Sequence, residues 1–331
     1  ASDSGKMPLP YYEKKLSFLR FKIRSLLLPI VLREETILYK IQKNLRSPIT
    51  DLYFAWTANL GSHTFYVLML PLPLWFGYCQ VGRDLIFVLG FGIYFTGVVK
   101  DYLCLPRPLS PPLHRITMSH YTSKEYGCPS SHSANATGVV LVCLNHLFTI
   151  KHSLSNSALI LSVIFFCIYY FSLVFGRIYA GMHGFTDIII GSIIGTLVFI
   201  IRHFTHDLWD SIVYSGNWLV PILLISFYYS LVYFHSIPLE NCPCFDDSVS
   251  FIGVLLGLEL AYWNYSKSSF IIPEGGIENY CVIPYSFKQI GLFKSILRVI
   301  VGVTTVLSWK AISKPLLRKI ISPIYKKFIS I

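Results

Sequence analysis

The sequence predicts an all-α membrane protein, a polytopic bundle of transmembrane helices. Of its 331 residues, 53% are hydrophobic and only 14% are charged, whereas about 25% of the residues in a soluble domain are charged. The mean hydropathy is +0.56, and several uncharged runs approach the ~20 apolar residues that a helix needs to cross a bilayer. This composition excludes a disordered chain, a coiled coil and an ordinary cytosolic enzyme. The net charge of +11 would suit a nucleic-acid-binding protein, but such a protein would be far less apolar.

Seven apolar runs predict transmembrane helices, and an eighth run is weaker. The seven runs are residues 54–78, 85–99, 134–150, 153–176, 188–201, 211–239 and 248–266. The eighth, residues 291–309, is interrupted by Lys294 and Arg298. We therefore expect about eight transmembrane helices. The seventh run contains Glu259, which we expect to make a polar contact between helices, although a carboxylate within a span is also a candidate functional group.

Basic residues flank the apolar runs at both ends of the chain. Residues 1–50 mix apolar side chains with lysines and arginines, which is typical of a basic amphipathic region that lies along the membrane surface. Within it, residues 16–32 are an alternative span, but three internal cations make that placement costly. Residues 311–331 form a basic C-terminal tail.

The cysteines form no CxxC pair of the kind that binds zinc. Cys104 and Cys128 stand at the two ends of one connecting loop, and a disulfide between them is an alternative to free thiols if that loop faces an oxidising compartment. Cys242 and Cys244 lie in a polar loop that lacks the other ligands of a zinc site. Free thiols are the expectation for all of them.

Cations, serines and histidines cluster at the predicted ends of four spans. In chain order they are Lys100, Arg107, Ser130, Ser131, His132, Arg177, His183 and Asp187. Successive spans run in opposite directions across the membrane. One side of the membrane therefore contains the ends of the second and fourth spans and the starts of the third and fifth spans. We therefore expect these residues to converge at one surface.

The residue types predict an anion site. Lys100, Arg107 and Arg177 can surround a phosphate with a point charge and forked guanidinium donors. Ser130 and Ser131 offer hydroxyl and backbone N–H donors at a helix start, where the helix dipole also favours an anion. Taken singly, each has an ordinary structural explanation, such as a membrane-edge anchor or a helix cap. Only their joint spacing and common side favour a functional site.

A histidine and a carboxylate accompany this anion site. His183 and Asp187 are four residues apart, so on a helix they would share a face. Asp187 can then hold the imidazole of His183 in one tautomer and leave the other nitrogen free to attack an electrophile.

Together these residues resemble the three-part signature of the type 2 phosphatidic acid phosphatase superfamily, the lipid phosphate phosphatases. The three parts are Lys100-x6-Arg107-Pro108, Pro129-Ser130-x-His132 and Arg177-x5-His183-x3-Asp187. The loop over residues 107–132 is most similar to that of sphingosine-1-phosphate phosphatases and fungal long-chain-base 1-phosphate phosphatases. The resemblance implies a six-helix phosphatase core, so residues 51–210 are expected to form the catalytic membrane core and residues 211–310 additional transmembrane helices.

The resemblance also implies roles for individual residues. His183 would attack phosphorus and form a phosphohistidine, with Asp187 orienting it, and His132 would protonate the leaving group and later activate water. The phosphoryl oxygens would be held by Lys100, Arg107, Ser130, Ser131 and Arg177. No metal and no other cofactor would be needed. Two positions depart from the common pattern, because Gly176 replaces a serine before the arginine and Ser131 replaces a glycine before the histidine.

The expected substrate is a sphingoid long-chain-base 1-phosphate, and the other expected partners are membrane lipids rather than nucleic acid. Phosphatidate or another phosphomonoester, including glucose 6-phosphate, is an alternative substrate within the same superfamily. A non-hydrolytic organophosphate transporter is an alternative of a different class, although transport does not explain His183 with Asp187.

The side of the membrane that the site faces is ambiguous in the sequence. With eight spans both termini lie on the motif side, and their basic residues would place that side in the cytosol by the positive-inside rule. The resemblance instead implies the endoplasmic reticulum membrane with a lumenal site. Counting residues 16–32 as a span would reconcile a cytosolic N-terminus with a lumenal site, and a lumenal site is our expectation.

Overall fold

The computed structural model describes residues 3–119, 121, 124–267 and 285–329, and within these residues the chain is all-helical. The α-helices, in chain order, are α1 (Leu9–Lys15), α2 (Phe18–Leu45), α3 (Pro48–Thr57), α4 (His63–Met69), α5 (Pro71–Trp75), α6 (Cys79–Leu103), α7 (Ser131–Thr149), α8 (Asn156–Tyr179), α9 (Phe185–Tyr214), α10 (Leu219–Tyr233), α11 (Cys244–Ser266) and α12 (Phe287–Ile329). The predicted all-α class is confirmed. The last two residues of the predicted basic tail lie outside the described residues.

Four helices among the described residues are long and apolar enough to cross a membrane. They are α6, α8, α9 and the part of α12 from Phe287 to Ser322. α10 is apolar but has only 15 residues. α7 and α11 lie over predicted runs and have 19 and 23 residues, but they carry more polar side chains. The protein is an integral membrane protein.

The first predicted span is wrong, because residues 54–78 do not form one helix. α3 ends at Thr57, a 3-10 turn covers Ala58–Gly61, and the short helices α4 and α5 follow. Pro71 begins α5 and Pro73 lies within it. A proline has no N–H to donate to the preceding turn, so it interrupts a helix that would otherwise continue.

The boundary before the sixth predicted span also differs. Residues 211–239 were expected to form one span, but α9 continues to Tyr214 and α10 begins at Leu219. Gly216 has a φ of 67° in the connection. This left-handed conformation favours glycine and is common just after a helix ends.

The described chain divides into two units. One contains residues 1–62 and 83–279, which include all of the predicted site residues, and the other contains residues 63–82 and 280–331. In the second unit, Arg298 of α12 donates a 2.7 Å hydrogen bond to the carbonyl of Trp75 at the end of α5.

α7 and α9 pack against each other at backbone contact. A Cβ atom on Gly191 would lie 2.4 Å from the carbonyl oxygen of Ser130, and one on Gly195 would lie 2.2 Å from that of Ala134. Side chains at these two positions of α9 would therefore push the helices apart. The close contact joins the start of α7 to the start of α9, where two of the three motifs lie.

α2 contacts the ends of three other helices beside the motifs. Arg20 donates hydrogen bonds to the carbonyls of Asp101 and Tyr102, at the end of α6. Gln42 donates to the carbonyl of Tyr179, at the end of α8. Glu34 accepts a 2.9 Å hydrogen bond from the N–H of Thr186, in the first turn of α9. α2 is not among the four helices that qualify as membrane spans.

The cysteines only partly follow the expectation of free thiols. Cys104 and Cys128 are free and buried. Cys242 and Cys244 instead form a disulfide, with their Cα atoms 5.4 Å apart, and Cys79 is also disulfide-bonded, so the expectation was wrong for these three cysteines. The single residue between Cys242 and Cys244, Pro243, is the N-cap of α11, and this helix-capping turn brings the two side chains together.

Glu259 makes the expected polar contact between helices. Its Oε2 atom lies 3.0 Å from a guanidinium nitrogen of Arg83 on α6, and that nitrogen is also 3.0 Å from Asp210 on α9. Arg202 pairs with both Asp210 and Asp84. The network joins three helices at the end of the bundle opposite the motifs, which indicates a structural role.

Candidate active site

The predicted site residues converge at one end of the first unit. Lys100 lies in the last turn of α6, Ser130 caps α7, Arg177 lies in the last turn of α8 and Asp187 lies in the first turn of α9. Arg107 lies in the loop that follows α6. Six of the eight predicted residues are buried, while Ser131 and His132 are half-buried. The convergence expected from alternating spans is therefore present in the structure.

His183 meets Asp187 across a capping turn and not along a helix as predicted. α9 begins at Phe185 with Gly184 as its N-cap, so His183 precedes the helix. The N–H of Gly184 donates a 2.9 Å hydrogen bond to Oδ2 of Asp187, and Nδ1 of His183 lies 3.4 Å from the same oxygen. The turn brings the pair together because Asp187 folds back to cap the start of its own helix.

The contacts of His183 determine its tautomer. Its Nε2 atom lies 3.0 Å from NH1 of Arg107. A guanidinium can only donate hydrogen bonds, so Nε2 accepts and carries the lone pair. The proton of the neutral ring then sits on Nδ1, on the side of Asp187. Nε2 is consequently the nitrogen able to attack, and it faces the cations.

The surroundings of His183 keep it neutral. Burial disfavours the charged imidazolium, and the positive charges of Arg107, Lys100 and Arg177, with His132 when protonated, oppose protonation further. Together these effects lower the pKa of His183 well below its ordinary value of 6.5. A neutral imidazole at physiological pH is the form that acts as a nucleophile.

Three buried cations lie close enough to His183 for their charges to lower its pKa. Lys100 and Arg107 are each 2% exposed and Arg177 is 4% exposed. Nε of Arg177 has no hydrogen-bond partner among the described residues, and Nζ of Lys100 lies 3.5 Å from Oγ of Ser131. Buried cations with unused donors are costly unless an anion pairs with them, so the site is suited to bind phosphate.

Ser130 contributes to the site through its hydroxyl rather than its backbone. Its N–H donates a 2.9 Å hydrogen bond to the carbonyl of Asp187, so the expected backbone donor is already used. Its Oγ accepts hydrogen bonds from the N–H and the hydroxyl of Ser133. Because Oγ accepts from both, its own proton can be donated to a phosphoryl oxygen.

His132 lies in the first turn of α7, beside the 3-10 turn that follows α3. A Cβ atom on Gly61 would lie 2.7 Å from Cδ2 of His132, so this imidazole packs closely against the backbone there. Its charge is near enough to lower the pKa of His183. The two histidines therefore share one site, and His132 is the more exposed of the two.

A carboxylate that sequence reasoning missed also lies in the site. Oε2 of Glu125 contacts Nζ of Lys100 and lies 3.5 Å from NH2 of Arg107. The carbonyl of Glu125 accepts a 3.0 Å hydrogen bond from Nε of Arg107. The only available signal was an isolated acidic residue five positions before Ser130, in a loop whose other notable groups are cations and histidines.

Comparison with known proteins agrees with this geometry. The sequence profile of the PAP2 superfamily matches residues 82–210, which include all three motifs. The dihydrosphingosine 1-phosphate phosphatase YSR3 of Saccharomyces cerevisiae is 40% identical over 93% of this chain and 74% of its own length. A protein of the same description from Schizosaccharomyces pombe, C823.11, is 38% identical over 93% of this chain and 72% of its own length.

The similarity extends to more distant relatives but not to a solved structure. Sphingosine-1-phosphate phosphatase 2 of Homo sapiens is 27% identical over 63% of this chain and 51% of its own length. No solved structure matches the chain. The family profile covers the residues that build the site, and the yeast relatives extend the similarity over nearly the whole chain. The protein therefore belongs to the PAP2 superfamily.

Proposed function

We propose that this protein is a membrane lipid phosphatase that hydrolyses sphingoid long-chain-base 1-phosphates to the free base and phosphate. The single observation that carries the proposal is the placement of His183. Its unprotonated Nε2 faces Arg107, the buried Lys100 and Arg177 are near enough to act on its charge, and Asp187 lies beside its Nδ1. The substrate class is supported by the names of the yeast relatives, which are dihydrosphingosine 1-phosphate phosphatases.

In the first chemical step, the substrate phosphate binds among Lys100, Arg107 and Arg177. Arg107 then donates to a phosphoryl oxygen and releases Nε2 of His183. Nε2 attacks phosphorus, the bond from phosphorus to the ester oxygen breaks, and His132 gives its proton to the departing alkoxide. Asp187 stabilises the positive charge that develops on the imidazole of His183.

In the second step, the phosphohistidine is hydrolysed. His132, now neutral, takes a proton from a water molecule as the water oxygen attacks phosphorus. The bond from phosphorus to Nε2 breaks and its electron pair returns to His183, while His132 regains its proton. Phosphoryl transfer depends mainly on positioning and on stabilisation of charge, and the cations and the Ser130 hydroxyl supply both. This route uses no metal and no other cofactor.

The site is proposed to face the lumen of the endoplasmic reticulum. The Cys242–Cys244 disulfide supports this assignment, because disulfides form and persist in oxidising compartments. A carboxylate oxygen of Asp101, next to Lys100, lies within 4.8 Å of both sulfurs, so the disulfide is on the same side as the site. Labelling of a Ser110→Cys variant in sealed microsomes tests the assignment, since Ser110 is exposed in the loop after Arg107. A membrane-impermeant maleimide should label it only after permeabilisation, and labelling of intact microsomes would place the loop in the cytosol.

Phosphate release from the purified protein tests the reaction. In detergent, dihydrosphingosine 1-phosphate should be hydrolysed faster than phosphatidate or glucose 6-phosphate, and His183→Ala should abolish the activity. His114→Ala is the matched control, because the side chain of His114 is exposed in the loop between α6 and α7 and its hydrogen bonds in the described structure use its backbone. A wild-type protein that binds these compounds without releasing phosphate would instead be a transporter.

A further inference from the structure

Glu125 is a buried carboxylate inside a site whose three cations are suited to bind an anion. Its side chain is 9% exposed and contacts Lys100 and Arg107, two of the three cations proposed to hold phosphate. In the absence of substrate it neutralises part of their charge. Phosphate and the Glu125 carboxylate thus compete for the same donors.

The main chain around Glu125 is held firmly. Its carbonyl accepts a hydrogen bond from Nε of Arg107, and the N–H of Gly127 donates a 2.8 Å hydrogen bond to the carbonyl of Leu105. Tyr126 between them is fully buried. When phosphate takes the Lys100 and Arg107 donors, the Glu125 side chain can rotate but its backbone stays beside the phosphate.

A carboxylate in that position opposes the binding of a simple phosphate monoester, because like charges in a buried site repel strongly. It favours a substrate that carries a positive charge next to its phosphate. A sphingoid base 1-phosphate has this arrangement, since its ammonium group is on the carbon adjacent to the one that bears the phosphate ester. Phosphatidate has an uncharged ester at the corresponding carbon.

We propose that Glu125 binds the ammonium group of the substrate and so selects 2-amino lipid phosphates over lipid phosphates that lack the amine. This inference rests on the proposed function and names the group that determines its specificity. On binding, the carboxylate exchanges its contacts with Lys100 and Arg107 for the substrate ammonium. Each charge in the site is then paired, with phosphate on the cations and the ammonium on Glu125.

The test compares dihydrosphingosine 1-phosphate with octadecyl phosphate, which has a similar chain and no amine. The wild-type protein should have a kcat/KM at least tenfold higher for the amino substrate. Glu125→Gln should lower kcat/KM for the amino substrate by about 10- to 100-fold, the range for losing a hydrogen bond to a charged group. For octadecyl phosphate it should leave kcat/KM unchanged or raise it, because the repulsion is removed.

Glu125→Asp keeps the negative charge and should retain most of the preference for the amino substrate. This variant controls for effects of substituting the residue that do not depend on its charge. Glu35→Gln is the matched control: Glu35 lies on the same side and accepts a hydrogen bond from the N–H of Leu109, a role that an amide oxygen can also fill. This variant should keep the wild-type preference.

Two results would overturn the inference and leave the proposed function intact. One is a wild-type protein that hydrolyses both lipids equally well. The other is a Glu125→Gln variant that loses activity equally on both lipids, since a purely structural counterion of Lys100 would act in that way. Failure of the wild-type protein to hydrolyse dihydrosphingosine 1-phosphate at all would instead refute the proposed function.

Discussion

Replacing Asp187 with asparagine separates the shape of this side chain from its charge. The amide oxygen of Asn can still accept the 2.9 Å hydrogen bond from the N–H of Gly184, so the start of α9 should stay capped. The same oxygen position lies 3.4 Å from Nδ1 of His183, so the amide oxygen also faces Nδ1 and the NH2 group takes the place of Oδ1. The tautomer with the proton on Nδ1 is therefore retained, and the substitution removes only the negative charge that stabilises the positive charge developing on His183.

The size of the effect follows from the geometry. A hydrogen bond to a charged group contributes about 1.5–3 kcal/mol. Here Nδ1 and Oδ2 are 3.4 Å apart, longer than an ordinary N–H···O hydrogen bond of about 2.9 Å, so we expect an effect no larger than this range. A loss of about 10- to 10²-fold in kcat corresponds to about 1.4–2.7 kcal/mol.

Steady-state phosphate release from dihydrosphingosine 1-phosphate in detergent gives kcat directly. Asp207→Asn is the matched control, because Asp207 is on the same helix but is 93% exposed. Thermal unfolding of both variants shows whether the fold is preserved. An Asp187→Asn enzyme with a wild-type melting temperature and a kcat within threefold of wild type would refute the proposed role of Asp187 in stabilising the positive charge on His183.

Three further predictions concern the second histidine, the pH profile and the buried charges at the other end of the bundle. His132→Asn should lower kcat for the lipid by about 10²–10⁴-fold. With p-nitrophenyl phosphate, whose leaving group needs no proton, formation of the phosphohistidine should be much less affected while its hydrolysis slows for lack of the base, so a burst of p-nitrophenolate should precede slow turnover; the absence of a burst would contradict the general-acid role. The plot of kcat/KM against pH should be bell-shaped. Its acid limb should lie well below pH 6.5, since the lowered pKa of His183 means that the nucleophile is lost to protonation only there; a flat profile from pH 4 to 9 would count against the assignment of His183. Glu259→Gln should destabilise the protein by about 3–5 kcal/mol, because it leaves Arg83 less fully paired in a buried site. The double variant Arg83→Met/Glu259→Leu should recover part of this loss. Thermal unfolding measures the stability of the two variants, and unchanged stability in Glu259→Gln would show that the ion pair contributes nothing.

The convergence of the three motifs was predictable from sequence because the prediction needs only the positions of the span ends and the alternating direction of the spans. Charged residues are rare in apolar runs, so Lys100 and Arg177 mark span ends without ambiguity. The alternation of spans then places those ends on one side, whatever the detailed packing. The roles of the individual residues stay predictions until the variants are measured.

The errors arise where local chain geometry overrides apolar composition. Residues 54–78 contain no charge, but a 3-10 turn over Ala58–Gly61 and the proline that begins α5 divide them, and composition alone registers neither break. His183 and Asp187 have helical spacing, yet the helix starts between them because Asp187 caps it. In both cases the backbone hydrogen-bonding pattern decides the structure.

Glu125 was missed for a different reason. It lies in an irregular loop without periodicity, and its partner Lys100 is 25 positions away. A sequence pattern cannot show that a loop folds back onto a helix end. The same limit applies to Cys242 and Cys244, which lie beside Asp101 only because the start of α11 packs near the end of α6.

The glycine contact between α7 and α9 has a consequence for how a lipid reaches the site. Because backbone oxygens lie so close to Gly191 and Gly195, α7 and α9 leave no gap for a hydrocarbon chain between them at these residues. The tail of a bound lipid must therefore leave the phosphate site between other helices. The two glycines would thereby restrict the route of the lipid tail, on helices whose ends carry residues of the proposed phosphate site.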